Sequence, residues 1–439
     1  MTVRALLTGV TVLLVLVLLV ILFQLVEMRQ AAHLADGPIG TGLCREGNTL
    51  ITCHPTMLRQ VFPAEKEKGA LRIFIVGSSQ AMGSPYVRSS FNRISRFFPN
   101  EGGLATWLED YLVFAMPRRR VEIINAAMGN NARMARHLET LREILAKGSP
   151  DIIVVMGGNN ERLGNKHTRV AGPSQRDAMA AIIYPAYQST LQTMAREASE
   201  AGVRTIFVTL PSNLHDWPPT TLLNKVSLER FYHDIEMKPF SKGKRPPVPE
   251  ASCQDLRSQW PQLRGDPAAH FSLARCLEAE GNVSQAYLEY VAARDLDLRF
   301  VRVRSVQNES IRALRGPGVS VLDLEALMRG YTHNGIPGYD LFLDHCHMSL
   351  RGNKISGFEI AREVLRLEGV PIRDEKLRRA PPLRIFNRWA LWWLHWLRTI
   401  KWTLYRFLPA SWQQFGPRRG GPLANSSLLT MRDIDMIGV

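Results

Sequence analysis

Three short stretches of this chain hold the residue types that hydrolytic chemistry needs. The first contains two serines, the second two asparagines, and the third an aspartate three residues before a histidine. A serine hydroxyl becomes a nucleophile only when a base removes its proton, and a histidine oriented by a carboxylate is such a base. An asparagine amide can donate a hydrogen bond to a developing oxyanion. The stretches lie at residues 77–83, 158–161 and 344–347.

The nucleophile predicted from this pattern is Ser79. An apolar run ends at Val76 and Gly77 begins a tight turn, so Ser79 lies at the carboxyl edge of the predicted sheet, where ligands bind in open α/β folds. His347 is the predicted base, and Asp344 is the residue that orients its ring. A Gly-Ser-Ser turn or an Asp-x-x-His sequence is weak evidence alone. Their positions at the first strand and before the last helix make the two together informative.

The oxyanion donors are predicted in two other turns. A Gly-Gly-Asn-Asn sequence follows the third apolar run and permits two registers; counting from Asp151 favours Asn160, with Glu161 next to it, and Asn159 is the fallback. Gly129, between the second strand and its helix, offers a backbone N–H to the same oxyanion. A plain asparagine-rich turn is the alternative interpretation of these residues.

The elements that must position these residues alternate along the chain. Five short apolar runs are rich in β-branched residues and continuous rather than alternating, as strands buried on both faces require. They lie at residues 72–76, 121–124, 151–155, 205–209 and 319–322. Helical patterns cover residues 134–146, 186–201 and 352–367. The order predicts an α/β fold in three α/β/α layers around a five-stranded parallel sheet.

This alternation stops between about residues 214 and 305. Two amphipathic helical patterns meet there at Gly281 and Asn282. The small residues Ala274, Ala286 and Ala293, with Gly281, are expected where the two helices approach closely. The segment resembles one tetratricopeptide repeat, and an ordinary helical hairpin is the alternative. We expect an insertion that packs on the main domain and shapes substrate access. Binding of a protein partner is a second role that it could have.

The first residues predict a membrane anchor. Residues 5–26 carry no charge and span roughly 33 Å as a helix, which matches a bilayer core. A cleaved signal peptide is the alternative, but the run ends without small residues at a cleavage site. The sparse flanking charges favour a cytoplasmic N-terminus, which places the body of a single-pass protein in the periplasm or another extracytoplasmic space.

The C-terminal tail is basic and rich in tryptophan. The net charge is +15, and much of the excess lies in residues 373–419. No nucleic-acid-binding module is recognisable. Residues 386–408 interleave tryptophans with arginine, lysine and histidine, which suits a helix lying in a membrane interface. A helix packed on the protein itself or on a partner is the alternative.

The five cysteines predict no metal site. Cys44 and Cys53 flank a short polar loop, and both a disulfide and two unrelated thiols are open. Cys253 and Cys276 lie in the helical region, and Cys346 lies in the third motif. None of the spacings is that of a zinc site, and the predicted chemistry needs no metal or organic cofactor.

The order of these motifs resembles that of the SGNH (GDSL-type) hydrolases, over residues 70–215 and 305–368. Bacterial membrane-anchored members with a tetratricopeptide-like insertion are similar, and the segments 211–214 and 293–297 add to that likeness. The resemblance implies a flavodoxin-like domain.

In site residues, the resemblance implies Ser79 as nucleophile, Gly129 and Asn160 as oxyanion donors, and the pair Asp344 and His347.

The sequence also departs from that family's pattern. Ser78 stands where the family usually has Asp, and Gln80 stands where it usually has Leu. The block around Gly129 is one residue short. His345 competes with His347 for the role of base, but only His347 has the Asp-x-x-His spacing.

The predicted function is that of a serine esterase on acyl groups of envelope carbohydrate or lipid. Acyl transfer to a sugar hydroxyl would use the same residues, and a degenerate membrane-bound scaffold is the alternative from another class. The predicted units are a transmembrane anchor, a stem, the first hydrolase part, the insertion, the second hydrolase part and the tail. Their ranges are 1–30, 31–70, 71–215, 216–304, 305–370 and 371–439.

Overall fold

The computed structural model describes most of the chain between residues 42 and 380. The described ranges are 42–84, 86–87, 102–129, 133–161, 172–223, 252–298 and 302–380. The anchor predicted at residues 5–26 and the tail helix predicted at 386–408 lie outside them. Within these ranges no helix has both the length and the apolar character to cross a bilayer.

In the described ranges, eight strands form two sheets. They are β1 (Leu43–Glu46), β2 (Thr49–Thr52), β3 (Val61–Pro63), β4 (Leu71–Gly77), β5 (Val121–Asn125), β6 (Ile152–Met156), β7 (Arg204–Val208) and β8 (Val319–Leu322). The larger sheet has the order β5-β4-β6-β7-β8 with every pair parallel. All residues of β4 and β6 are buried, as expected for strands covered on both faces. The predicted five-stranded parallel sheet is confirmed.

Thirteen helices are seen in the described ranges. They are α1 (Ser79–Met82), α2 (Leu104–Ala115), α3 (Met134–Lys147), α4 (Pro173–Glu200), α5 (Thr220–Leu223), α6 (Cys253–Ser258), α7 (Trp260–Leu263), α8 (Pro267–Ala279), α9 (Val283–Asp295), α10 (Ser305–Arg312), α11 (Leu324–Arg329), α12 (Leu350–Leu367) and α13 (Asp374–Arg378).

The long helices form two layers on the parallel sheet. Helix α2 packs on α12, and α3 packs on α4. Right-handed crossovers in this strand order place those two pairs on opposite faces. On α12, a Cβ at Gly357 would lie 2.6 Å from the Cβ of Trp107, so glycine permits the close approach of α2.

Among the long helices, α2 and α4 differ from the sequence prediction. Helix α4 begins thirteen residues before the predicted start at residue 186. A proline usually ends a helical pattern, but Pro185 lies inside this helix, on its exposed side. A proline there leaves one carbonyl without its helical partner, and solvent can satisfy that carbonyl. Helix α2 was not predicted.

The predicted stem is partly a folded unit. Strands β1, β2 and β3 form an antiparallel sheet. Leu43, Leu50 and Phe62 from it join the main hydrophobic core. Each of these strands is only three or four residues long, which is too short for an alternating pattern to stand out in a sequence. The pairing of Cys44 with Cys53, left open by the sequence, occurs in this sheet as a disulfide.

The predicted helical insertion contains a hairpin of α8 and α9. Ala274, Ala286 and Ala293 are buried between them as expected, whereas Gly281 is exposed and makes the turn with φ +82°. A second disulfide joins Cys253 to Cys276, a pairing that the sequence did not indicate. The likeness to a tetratricopeptide repeat stays a prediction.

The hairpin is fixed to the parallel-sheet domain by packing and by buried charges. Its apolar core includes Leu214 and Ile336 from that domain. Arg294 at the end of α9 is fully buried and pairs with Glu325 of α11 at 2.7 Å. A buried ion pair of this kind needs accurate geometry to offset desolvation, so it favours one relative placement of the two parts.

Candidate active site

The first site segment is the turn from β4 into α1. Ser78 is fully buried, and Ser79 begins α1 at the carboxyl edge of the sheet. A Cβ at Gly77 would lie 1.9 Å from the carbonyl oxygen of Met156 on β6, so only glycine lets the strand reach this point. The apolar strand therefore delivers a partly exposed serine at its end.

The structure brings Ser79, His347 and Asp344 into one hydrogen-bonded chain. Ser79 Oγ lies 2.8 Å from His347 Nε2, although the two residues are 268 positions apart. His347 Nδ1 lies 2.6 Å from Asp344 Oδ2. Because an ionised carboxylate only accepts, Nδ1 carries the proton and Nε2 is free to accept the serine proton.

Asp344 is held in place by the turn that carries His347. Its Oδ1 accepts the backbone N–H of Cys346 at 2.9 Å and that of His347 at 2.7 Å. The carboxylate therefore fixes both the ring and the backbone of His347, which lies just before α12.

The charges on this side of the site favour an ionised aspartate. Burial raises the pKa of Asp344, but His347, His345 and the backbone N–H of Cys346 outweigh it and hold that pKa far below its ordinary range. Burial lowers the pKa of His347, and the charge of Asp344 and its hydrogen bond reverse this to a net rise. The imidazolium that forms when His347 takes a proton is thus stabilised.

The two neighbours of His347 are placed differently. His345 Nδ1 lies 3.6 Å from Asp344 Oδ1, and the His345 ring packs on Trp217 with centroids 5.4 Å apart. Burial raises the pKa of the Cys346 thiol well above its ordinary value, so the thiol stays protonated. Of the two histidines weighed from the sequence, only His347 contacts the serine hydroxyl.

The two asparagines after β6 have different partners. Asn159 uses its whole amide: Nδ2 donates to Gln80 Oε1 at 2.6 Å, and Oδ1 accepts the N–H of Val303 at 3.0 Å. Asn160 Nδ2 is buried and has no hydrogen-bond partner among the described residues. An unmet buried donor is costly, so it is available to a ligand oxygen. This agrees with the register counted from Asp151.

The residue after Asn160 supports the same loop. Glu161 Oε1 accepts the backbone N–H of Met134, the first residue of α3, at 2.8 Å. A carboxylate at a helix start is favourable because the first N–H groups of a helix lack internal partners. Glu161 therefore ties the loop that carries Asn160 to α3.

Gly129 does not offer the predicted oxyanion donor. Its backbone N–H donates to the carbonyl oxygen of Thr56 at 2.9 Å. Next to it, Met128 forms a bridge with Met57, so the small antiparallel sheet lies against this turn. The prediction fails because a segment taken for a stem supplies the acceptor. The N–H of Ser79, at the first position of α1, is the remaining backbone candidate, since helix starts lack internal acceptors.

The described residues give little support to a metal at this site. Asp344, Cys346 and His347 offer ligand atoms within 4.8 Å of one another. A metal takes up thiolate and free imidazole nitrogen. Here burial raises the pKa of the Cys346 thiol, which disfavours the thiolate, and His347 Nδ1 already donates to Asp344. The donor set fits a hydrogen-bonded triad better than a metal centre.

The site also contains residues that the sequence did not assign. Gln80 is 1% exposed and bonds both Asn159 and the carbonyl oxygen of Pro211. The signal available was a polar residue in place of the usual Leu directly after the serine. Trp217, which packs on His345, had no signal beyond its type.

Comparisons with known proteins give structural likenesses only. No family model matches the chain, and no curated protein matches it. A lipase/acylhydrolase from Enterococcus faecalis is 14% identical, with 72% of this chain and 100% of that chain covered and a TM-score of 0.31. Axe2, an acetylxylan esterase from Geobacillus stearothermophilus, is 12% identical over 70% and 98% of the two chains, with a TM-score of 0.31.

A third similar structure is the acetyl xylan esterase AlAXEase. It is 12% identical, covers 67% of this chain and 100% of that chain, and has a TM-score of 0.33. At sequence identities and TM-scores this low, the activity of these proteins cannot be assigned to this chain. Function is therefore inferred from the geometry of the site.

Proposed function

We propose that this protein is a serine esterase of the SGNH type that acts on ester-linked acyl groups. The observation that carries the proposal is the continuous hydrogen-bonded chain from Ser79 Oγ through His347 to Asp344. It lies at the carboxyl edge of a parallel sheet. Asn160, whose Nδ2 has no partner among the residues that the structure describes, follows the neighbouring strand β6. Nucleophile, base, orienting acid and oxyanion donor are the groups that acyl transfer needs.

The reaction proceeds in two halves. Ser79 Oγ attacks the ester carbonyl while its proton passes to His347 Nε2, and the carbonyl oxygen becomes an oxyanion that Asn160 Nδ2 and the Ser79 N–H stabilise. Collapse breaks the bond to the alcohol, which leaves with the proton from His347. Water then attacks the acyl-serine while His347 takes its proton. Collapse of the second oxyanion breaks the bond to Ser79 Oγ, which takes that proton back from His347, so that a carboxylic acid and free Ser79 result.

An extracytoplasmic location is part of the proposal. Two disulfides, Cys44 with Cys53 and Cys253 with Cys276, support it because such bonds persist in oxidising compartments. With the anchor at residues 5–26 and the interfacial helix at 386–408, the enzyme would reach esters of envelope carbohydrate or lipid. Whether residues 386–408 bind the membrane interface is tested by flotation of the anchor-free chain with anionic liposomes, with and without those residues. Unchanged binding after their deletion would rule out the interfacial helix.

The esterase activity is tested on the full chain in detergent. Wild type is expected to hydrolyse a short-chain aryl ester and to be labelled covalently by a fluorophosphonate. Ser79→Ala is expected to lose both, and His347→Ala to lose nearly all of each. Activity that survives Ser79→Ala would disprove the site assignment. A wild type that is neither active nor labelled would favour the scaffold interpretation, which the serine at position 78 also favours.

Acyl transfer is the second outcome of the same site. A sugar hydroxyl in place of water would attack the acyl-serine with help from His347. Product analysis in the presence of a carbohydrate acceptor separates the two. An acylated sugar identifies a transferase, and free acid alone identifies a hydrolase.

A further inference from the structure

We propose that Gln80 and Asn159 act as a pair of positioning residues that aim the Asn160 amide at the oxyanion. The inference rests on the esterase function proposed for this site. Neither residue reaches the reacting atoms in this role. Each acts through Asn160, the donor that the substrate oxygen would meet.

Gln80 links the nucleophile to two neighbouring strand ends. It follows Ser79 directly in α1, and both ends of its amide are hydrogen-bonded. Oε1 accepts from Asn159 Nδ2 at 2.6 Å, and Nε2 donates to the carbonyl oxygen of Pro211 at 3.1 Å. One buried side chain thus joins the turns that follow β4, β6 and β7. Leu, usual here in the family that the sequence resembles, could make neither hydrogen bond.

The loop before Asn160 is held at each of three successive residues. The carbonyl oxygen of Gly157 accepts from the hydroxyl of Tyr187 at 3.0 Å. The carbonyl oxygen of Gly158 accepts from Gln307 Nε2, also at 3.0 Å. Asn159 is bonded at both ends of its amide. The side chain that comes next, Asn160, keeps its Nδ2 without a partner in the described part of the chain.

Part of this support comes from the segment that returns from the inserted hairpin. Val303 supplies the N–H to Asn159 Oδ1 at 3.0 Å. Its neighbours are anchored to Asp297: Arg302 Nη2 lies 3.1 Å from Asp297 Oδ2, and Arg304 Nη2 lies 2.6 Å from the Asp297 carbonyl oxygen. The insertion is therefore connected to the oxyanion side of the site through buried hydrogen bonds.

The physical reason for such support is preorganisation. A donor stabilises a transition state only if it already points at the place where charge develops. Positions must hold to within a fraction of an ångström, which residues fixed by packing and further hydrogen bonds achieve. Loss of the Gln80 acceptor would leave Asn159 Nδ2 buried and unmet, and the loop would shift to satisfy it.

A double-mutant cycle on the full chain tests the proposal with an aryl ester as substrate. Gln80→Met keeps the length of the side chain and removes both hydrogen bonds. We expect kcat to fall about 10- to 100-fold with KM nearly unchanged, since a misplacement of about 1 Å costs that much. The loss should vanish in an Asn160→Ala background, because the donor through which Gln80 acts is already gone.

A second variant covers the case in which Gln80→Met does not fold. Asn159→Asp keeps the acceptor for Val303 and removes the donor to Gln80. It should show the same selective loss of kcat, again absent when Asn160 is Ala. As a control, Tyr290→Phe removes a buried hydroxyl that bonds Glu278 within the hairpin rather than this loop. Its effect should simply multiply with that of Asn160→Ala.

The outcomes separate this inference from the function on which it rests. If wild type is active and labelled by a fluorophosphonate but the Gln80 and Asn160 effects multiply, the positioning role is wrong and the esterase stands. If wild type is neither active nor labelled, both fail. The positioning role would also be wrong if the fall in kcat follows a fall in thermal stability and is equally large in Tyr290→Phe.

Discussion

The acid–base side and the oxyanion side of this site differ in how their polar atoms are occupied. Ser79, His347 and Asp344 bond one another before any substrate is present. On the other side, Asn160 Nδ2 has no partner in the described residues while the loop behind it is bonded at successive positions.

The difference follows from what each side must do. A base has to be oriented and its proton placed in the resting enzyme, so its hydrogen bonds are useful from the start. An oxyanion donor is useful only when charge appears, so its own donor must stay free while its backbone is fixed. The comparison predicts that damage to the first side removes the chemistry, whereas damage to the second weakens it.

The largest effect is expected at the nucleophile. Ser79→Ala should lower kcat by about 10⁴- to 10⁶-fold, because no covalent intermediate can form. Steady-state hydrolysis of an aryl ester measures this. Ser84→Ala, which changes a serine five residues further on, is the control and should stay active. A comparable loss in both variants would show that the change disturbs folding rather than chemistry.

The orienting acid should show the next largest effect. Asp344→Asn is expected to lower kcat about 10⁴-fold, as in triads whose histidine tautomer is lost. In wild type, neutral His347 is the active base and its pKa lies above its ordinary value of 6.5, so kcat/KM should fall as pH decreases through that raised pKa. In Asp344→Asn this decrease of kcat/KM on the acid side of the pH profile should move to lower pH. A decrease that does not move would mean that His347 is not the titrating base.

On the oxyanion side the expected effect is smaller. Asn160→Ala should lower kcat by about 10²- to 10³-fold with intact covalent labelling, since one of the two proposed oxyanion donors is lost. Asn159→Ala should cost less, because Asn159 is bonded within the protein. The kcat values of Asn160→Ala and Asn159→Ala can be compared by stopped-flow or steady-state kinetics with one ester. A larger loss for Asn159→Ala would exchange their roles.

The smallest effect on catalysis is expected at a half-buried group of charges around His215, which belongs neither to the triad nor to the oxyanion loop. His215 lies 2.8 Å from Asp216 and 3.0 Å from Glu278 of the hairpin. Burial lowers its pKa, but those two hydrogen bonds and charges raise it to about 9. Its contribution to stability is therefore fully present below pH 6.5 and is lost as pH rises through about 9.

Thermal unfolding at a series of pH values tests that contribution. Wild type should lose stability between about pH 7 and 10 by more than His215→Gln does, since Gln cannot become charged. Both should keep kcat at pH 7 within a few-fold. Identical stability profiles for the two proteins would show that the imidazolium does not hold the hairpin.

Much of the fold could be predicted from local patterns. The five strands of the parallel sheet and the helices after β5 and β8 were found because continuous apolar runs and helical periods are visible in the sequence. The first half of α4 was not predicted because Pro185 lies inside the helix, and the small sheet was not predicted because its strands are only three or four residues long. The first half of α4 is held by distant residues, such as Leu296, whose carbonyl oxygen accepts from Arg176. The strands of the small sheet, in contrast, pair with one another within residues 43–63.

The sequence by itself determined the chemical groups and their order: a serine after the first strand, asparagines after the third, and an Asp-x-x-His before the last helix. The tertiary structure alone decided which atoms are free. The Gly129 N–H is bonded to Thr56 and the Asn159 amide to Gln80 and Val303, whereas Asn160 Nδ2 has no partner within the described part of the chain. The reason is that hydrogen-bond partners are set by which backbone segments the packing brings within 3 Å, and residue type does not specify that.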